Sequence, residues 1–155
     1  MKIHSIEKAW LVIGGVMLLV FLAAISVAAF GQGMQPPGQT EHVDPQNVAM
    51  DPHFADPGVK EVAPGVYEVN MVAMTFAFTP GVVEVPAGSE VTFRVVSRDV
   101  VHGFEIAGTN VNQMVIPGHV TKVTARFDAP GEYLILCNEY CGIGHHVMQG
   151  KLVVR

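Results

Sequence analysis

Apolar positions along this chain follow two different patterns. From Trp10 to Phe30 the sequence reads WLVIGGVMLLVFLAAISVAAF, with no charged residue. At about 1.5 Å rise per residue such a run forms a helix roughly 31 Å long, matching a bilayer's hydrocarbon core. Gly14 and Gly15 are compatible with this, because glycine is common in membrane helices. Lys2 and Lys8 precede the run, and the next basic residue is Lys60. Positive flanks stay inside, which predicts a cytoplasmic N-terminus over 1–9, one crossing over 10–30 and the remainder on the outer side. A cleaved signal peptide is the competing reading, with Ser26-Val27-Ala28 as a small-residue processing site. The apolar run exceeds the usual length of a signal h-region, which favours a retained anchor.

The second pattern starts at Val66. Val66 to Val72, Val82 to Val85, Val91 to Val95, Thr121 to Phe127, Glu132 to Cys137 and Lys151 to Val154 are short, rich in β-branched and aromatic residues, and separated by turn residues such as Asp128-Ala129-Pro130-Gly131. No convincing helical period appears after Val66. Seven or eight such strands predict an all-β sandwich with Greek-key connections. Between the two patterns, residues 31–63 hold five prolines from Pro36 to Pro57 and read as an extended linker, with a short helix near Pro45 to Ala49. His42 and His53 lie in it and are expected to be solvated.

Composition changes this picture little. Half of the 155 residues are hydrophobic and 15% are charged, an apolar balance caused by the first run. Residues 31–155 carry seven Lys/Arg against thirteen Asp/Glu. That excess of acid excludes binding to a nucleic-acid backbone as the main activity. It permits docking of a basic protein, although the carboxylates are spread rather than clustered.

Chemistry concentrates in CNEYCGIGHHVM, Cys137 to Met148, which contains both cysteines of the chain. Outside the cytoplasm a disulfide is the default for two cysteines, but so short a loop would gain little from one. Zinc would accept two Cys and two His, although a thioether suits it poorly. Copper suits thiolate, thioether and imidazole together. The two thiolates would then bridge two copper ions, His145 would serve one, and a second imidazole must come from elsewhere. His102, beside Gly103 and Phe104 after a strand, is the candidate. A lone His among apolar residues is more often a packed one, but a loop short of one imidazole reverses that preference. His119 follows Pro117-Gly118 in a turn and is expected to be solvated, and His146 should point away from a centre that His145 faces. The same donors would also serve an open Cu(I) site in a membrane-tethered chaperone or store. A disulfide would instead fit an adhesion-type sandwich.

The loop, with DVVHGF upstream, resembles the dinuclear copper (CuA) domain of cytochrome c oxidase subunit II. The resemblance extends over HVDPQNV, MTFAFTPGVVEVPAGSEVTFRVVS, EIAGTNVN and APGEYLILCNEYCGIGHHVMQGKLVV, and thus over anchor, linker and a domain at 64–155. A single membrane helix with a short domain looks like subunit II of the B-type haem-copper oxidases of some heat-tolerant bacteria. The fold implied is a cupredoxin-like Greek-key sandwich or barrel with one N-terminal transmembrane helix. Carried onto this sequence, Cys137 and Cys141 bridge two copper ions, His102 and His145 cap one each, and Met148 and the Glu139 carbonyl are axial ligands. In the larger oxidases a carboxylate at the Glu139 position also binds magnesium at the boundary with subunit I, which makes Glu139 a candidate for that role. Phe76 and Phe78 lie where the family places aromatic residues near the surface that receives electrons, although core packing would account for them equally.

The activity implied is that of a non-catalytic, electron-accepting subunit in the cell membrane. Cytochrome c would be the donor. Haem, held only in the partner subunit I, would receive the electron for reduction of oxygen to water with proton pumping. Membrane lipid would surround the anchor.

Overall fold

Ser5 to Ser26 form α1, and the helix continues as one π-type turn over Val27–Gly31. At its start the His4 amide donates to Glu7 Oε2 at 3.0 Å, satisfying one of the free N–H groups of the first turn. None of the helix residues is buried, and large apolar side chains stand out all around it. A helix that is apolar on every side needs an apolar solvent or neighbour. Its 27 residues reach about 40 Å at 1.5 Å per residue, long enough to cross a bilayer with some tilt.

The computed structural model describes residues 4–31 and 41–155. The chain divides into two units, one ending at Pro36 and the other beginning at Pro37. Lys2 and residues 32–40 of the expected linker lie outside the described residues.

The second unit is a sandwich of two sheets. Its strands are β1 (Gly58–Ala63), β2 (Val66–Met74), β3 (Ala77–Thr79), β4 (Val82–Val85), β5 (Ser89–Ser97), β6 (His102–Ile106), β7 (Asn112–Val115), β8 (Val120–Phe127), β9 (Gly131–Leu136) and β10 (Gln149–Val154). One sheet runs β1-β2-β5-β8 with β3 added to β2, and the other runs β4-β10-β9-β6-β7. Two pairs are parallel, β2 with β5 and β4 with β10, so the chain crosses between sheets. Alternate residues of each strand point inward, and Met71, Phe93, Phe104, Ile135 and Leu152 meet between the sheets with no exposed surface. This is the cupredoxin-like sandwich with one N-terminal apolar helix. The ten strands described exceed the seven or eight expected. The additions include β1, β3, β6 and β7, which are short or interrupted by polar and glycine residues.

The expected linker is corrected over 41–63. Val43, Val48 and Phe54 bury their side chains against Val72, Val96 and Val120 on the outer face of the first sheet, forming a second apolar cluster. Pro45–Met50 is a 3-10 helix whose first turn is capped by Asp44, which accepts from the Gln46 amide at 3.0 Å. The short helix read near Pro45 to Ala49 is present, but the packing escaped notice because the buried residues stand five or six positions apart, which fits neither a helical nor a strand period.

An ion-pair network closes this layer. Arg94, 6% exposed, meets Glu41 and lies 3.8 Å from Glu68, and Lys122 Nζ sits 2.7 Å from Glu41. The Lys122 hydrogen bond, partly opposed by burial and reinforced by the charge of Arg94, holds the Glu41 pKa below its ordinary value. A lowered folded-state pKa means the unfolded chain binds the proton more readily. The contribution is therefore complete above the unfolded carboxylate pKa of about 4.3 and is lost as pH falls through the lower folded value. Denaturant melts should show stability falling with acid in that window, with a shallower fall for Glu41→Gln.

Candidate metal centre

At one end of the sandwich, β6 and β9 lie side by side and bring two loops together. Cys137 directly follows β9, and its amide donates to the Met148 carbonyl, so the 137–148 loop is pinned at both ends. His102 opens β6 with its side chain turned inward and without exposed surface. The two sulfurs are 3.9 Å apart, far beyond a disulfide bond of about 2.05 Å, so both cysteines are thiols. His102 Nδ1 lies 3.8 Å from Cys137 Sγ, and His145 Nδ1 lies 3.7 Å from Cys141 Sγ. Met148 Sδ is 3.7 Å from Cys141 Sγ, and the Glu139 carbonyl is 3.2 Å from Cys137 Sγ.

The donors proposed from sequence are therefore together: two sulfurs at the centre, an imidazole beside each, a thioether and a carbonyl. The chemistry of the set fits copper. Metal–sulfur bonds of about 2.3 Å would reach an ion lying between both sulfurs. Soft sulfur with imidazole is the donor class copper prefers. His102, Cys137 and Cys141 offer donor atoms within 4.8 Å of one another, all three side chains buried. Burial, helped by the Cys137 neighbour, pushes the Cys141 thiol up to about 11, so a metal ion binding there would have to displace a proton.

Asp99 orients His102, a role not read from the sequence. Its Oδ1 accepts from His102 Nε2 at 2.8 Å, which leaves Nδ1 to face the sulfurs. The Thr75 and Val100 amides each donate to Asp99 at 2.7 Å. Burial alone would raise the Asp99 pKa, but the bonds from His102, Thr75 and Val100 outweigh it and hold the value at about 2. The spacing of Asp and His three apart in DVVH was the available signal. Asp99→Asn, which keeps the shape but removes the charge, should weaken copper binding by about ten- to a hundredfold, read by competition with a chelator.

Two glycines allow the loops to close. A Cβ on Gly103 would lie 2.6 Å from the Asn138 amide nitrogen and 2.8 Å from that of Glu139, so β6 and the ligand loop touch backbone to backbone. Asn138 Nδ2 completes the contact by donating to Glu105 Oε2 at 3.1 Å and Asn112 Oδ1 at 2.9 Å. Across the site, the half-buried Phe76 ring lies over Gly142 and Gly144, where a Cβ on Gly144 would come within 2.4 Å of a ring carbon. Gly144→Ala should therefore lower the melting temperature and displace His145. Adding Phe76→Ala should recover part of the loss, and a double-mutant cycle would measure the coupling.

Of the two readings of Phe78, its position favours core packing: it is 4% exposed and lies edge-on to Phe104, because the short β3 turns only its middle residue inward. His146 is exposed, while its neighbour His145 faces Cys141. Among the described residues the Glu139 carboxylate has no hydrogen-bond or ion-pair partner. His53 is exposed near Glu68, and His42 is exposed as expected, while His119 is half-buried with its ring centre 4.5 Å from that of His42.

The family profile of a cupredoxin-like domain matches residues 16–154. Over 157 aligned positions the chain is 43% identical to the cytochrome c oxidase subunit 2 of Thermus thermophilus, covering 99% of this chain and 94% of that protein. A heme-copper oxidase subunit 2 of Aeropyrum pernix is 42% identical over 72 residues, 45% of this chain and 31% of the other. Among solved structures, a chain of a heme-copper terminal oxidase dimer superposes with a TM-score of 0.79 at 35% identity, covering 96% of this chain and 99% of that one. The periplasmic domain of subunit II of the Bradyrhizobium japonicum cytochrome oxidase shares the fold, at 17% identity and a TM-score of 0.52.

Proposed function

The chain belongs to the cytochrome c oxidase subunit 2 family, and on that premise we propose that it is the non-catalytic, electron-accepting subunit of a haem-copper oxidase. The observation that carries the reading is the convergence of two thiols, two imidazole Nδ1 atoms, a thioether and a carbonyl at one end of a rigid sandwich. Two copper ions held there would supply reversible one-electron storage, and on this reading the donor is reduced cytochrome c and the acceptor is haem in subunit I, the site of oxygen reduction to water with proton pumping.

The chain's own part is to hold the ligands still. Cys137 and Cys141 would provide the two thiolates, His102 and His145 the imidazoles, and Met148 and the Glu139 carbonyl the remaining donors. Asp99 fixes the ring of His102, while β6 and β9 fix the two ligand-bearing loops, so little rearrangement is needed between redox states. Burial of Cys137, Cys141 and Met148 excludes water. Around His145 the loop exposes Tyr140, Ile143 and Val147, and Val100 and Val101 stand out beside His102. An apolar rim over buried ligands is suited to brief docking of a cytochrome. The Glu139 carboxylate, without a partner among the described residues, is the candidate for magnesium shared with subunit I. The N-terminal helix would anchor the chain once in the lipid of the cell membrane, with its N-terminus cytoplasmic and the copper domain outside.

Rapid mixing of the copper-loaded full chain with reduced cytochrome c tests this reading. The expected result is uptake of one electron per copper pair, with matching oxidation of the cytochrome. Absence of electron uptake, together with loss of copper to a chelator within minutes, would point to a copper carrier instead.

A further inference from the structure

His42 and His119 take no part in the copper reading, yet the fold brings them together. Residues 42 and 119 form an isolated antiparallel bridge. Val43 N donates to Gly118 O at 3.2 Å, and Val120 N donates to Glu41 O at 2.9 Å. The ladder bonds therefore fall on the flanking residues, making His42 and His119 a non-hydrogen-bonded pair. In such a pair the opposed Cα atoms come closest, about 4.5 Å, and both side chains share one face. The ring centres are 4.5 Å apart with the planes tilted at 58°.

The hydrogen bonding of the two rings favours a ligand. His42 Nδ1 donates to the Gly118 carbonyl at 3.2 Å, which leaves the lone pair of the neutral ring on Nε2. An imidazole anchored through its other nitrogen to a carbonyl is the usual arrangement for a metal-bound histidine. His119 Nδ1 is buried and has no hydrogen-bond partner among the described residues. No bond fixes its tautomer, so the ring can present a lone pair without breaking one, and coordination at that nitrogen would remove the cost of an unpaired buried polar atom.

We propose that His42 and His119 form a second metal site, separate from the cysteine centre, which takes one divalent transition-metal ion of the zinc, copper and nickel class. Metal–nitrogen bonds of about 2.0–2.1 Å place two imidazole ring centres roughly 4–5 Å apart around a single ion. Imidazole suits these metals, whereas calcium and magnesium require oxygen donors. The neighbouring carboxylate, Glu41, is engaged with Arg94 and Lys122 and supplies none. His42 is exposed, so water can fill the remaining positions. An ion here ties the chain at 41–43 to the turn before β8, reinforcing the point where the second apolar cluster begins.

The experiment titrates zinc into the copper-loaded full chain in detergent, so that the cysteine centre is already occupied, and follows binding by calorimetry. The site predicts one further equivalent of zinc and a rise in melting temperature. His42→Gln and His119→Gln should each weaken this binding by at least about tenfold while leaving the copper spectrum unchanged. No added equivalent, or binding indifferent to both substitutions, overturns the proposal. Anomalous diffraction from zinc-soaked crystals of the unsubstituted chain decides without any variant: a peak between the two rings supports the site, and peaks only elsewhere overturn it.

Discussion

Cys141→Ser is expected to abolish the paired copper centre while leaving the sandwich folded. Cys141 Sγ stands at the middle of the donor set, 3.9 Å from Cys137 Sγ, 3.7 Å from His145 Nδ1 and 3.7 Å from Met148 Sδ. A hydroxyl in its place is a harder, poorer donor that does not ionise at neutral pH, so no second bridge remains. Copper content should fall from two ions per chain to one or none. Oxidation of cytochrome c by the assembled oxidase should slow by at least about a hundredfold, the upper end of what losing a partner one step further from the metal costs. Folding stability should change by no more than about 1–2 kcal/mol, because no cross-link is removed. An adhesion-type sandwich stapled by a disulfide predicts the opposite pattern, with stability lost and metal content unaffected. Metal analysis and a thermal melt on the same sample separate the two.

The second large effect is expected at a residue that binds nothing. Gly103 lies between His102 and Phe104 on β6, and a Cβ there would meet Asn138 Oδ1 at 1.8 Å as well as the Asn138 and Glu139 amide nitrogens. The side-chain amide could move aside, but the backbone could not without carrying the Glu139 carbonyl with it. Gly103→Val should therefore cost about 1–3 kcal/mol through overpacking. It should also force the ligand loop away from β6, with loss of copper binding out of proportion to that cost. Gly103→Ala should show the same effects at smaller size. Copper stoichiometry beside denaturant melts checks both, and normal copper loading in Gly103→Val would show that the close backbone approach is unimportant.

The residues most legible in the sequence were those whose chemistry is specific. The thiol pair with His145 and Met148 three residues apart asks for copper by donor type alone, and the missing imidazole directs attention to His102. Long strands with clear alternation, such as the region of β5 and β8, were equally plain. What escaped depended on contacts between distant segments. Asp99 shows its role only once Thr75 and His102 are seen to converge on it. Gly103 is just a glycine until Asn138 is placed against it. Val43, Val48 and Phe54 carry no periodic signal, since each fills its own gap on the sheet's outer face. His42 and His119 lie 77 positions apart, and nothing local shows that a two-residue bridge brings them together. Phe78 illustrates a choice the sequence left open between a surface role and core packing, and the alternation of β3 favours the core.

Electron paramagnetic resonance of the copper-loaded full chain tests the central claim most directly. The account predicts a purple, mixed-valence centre in which one unpaired electron is shared over two copper nuclei, seen as hyperfine splitting from an equivalent pair. Splitting from a single copper nucleus with a blue absorption band, or the absence of any paramagnetic copper after loading, would contradict it.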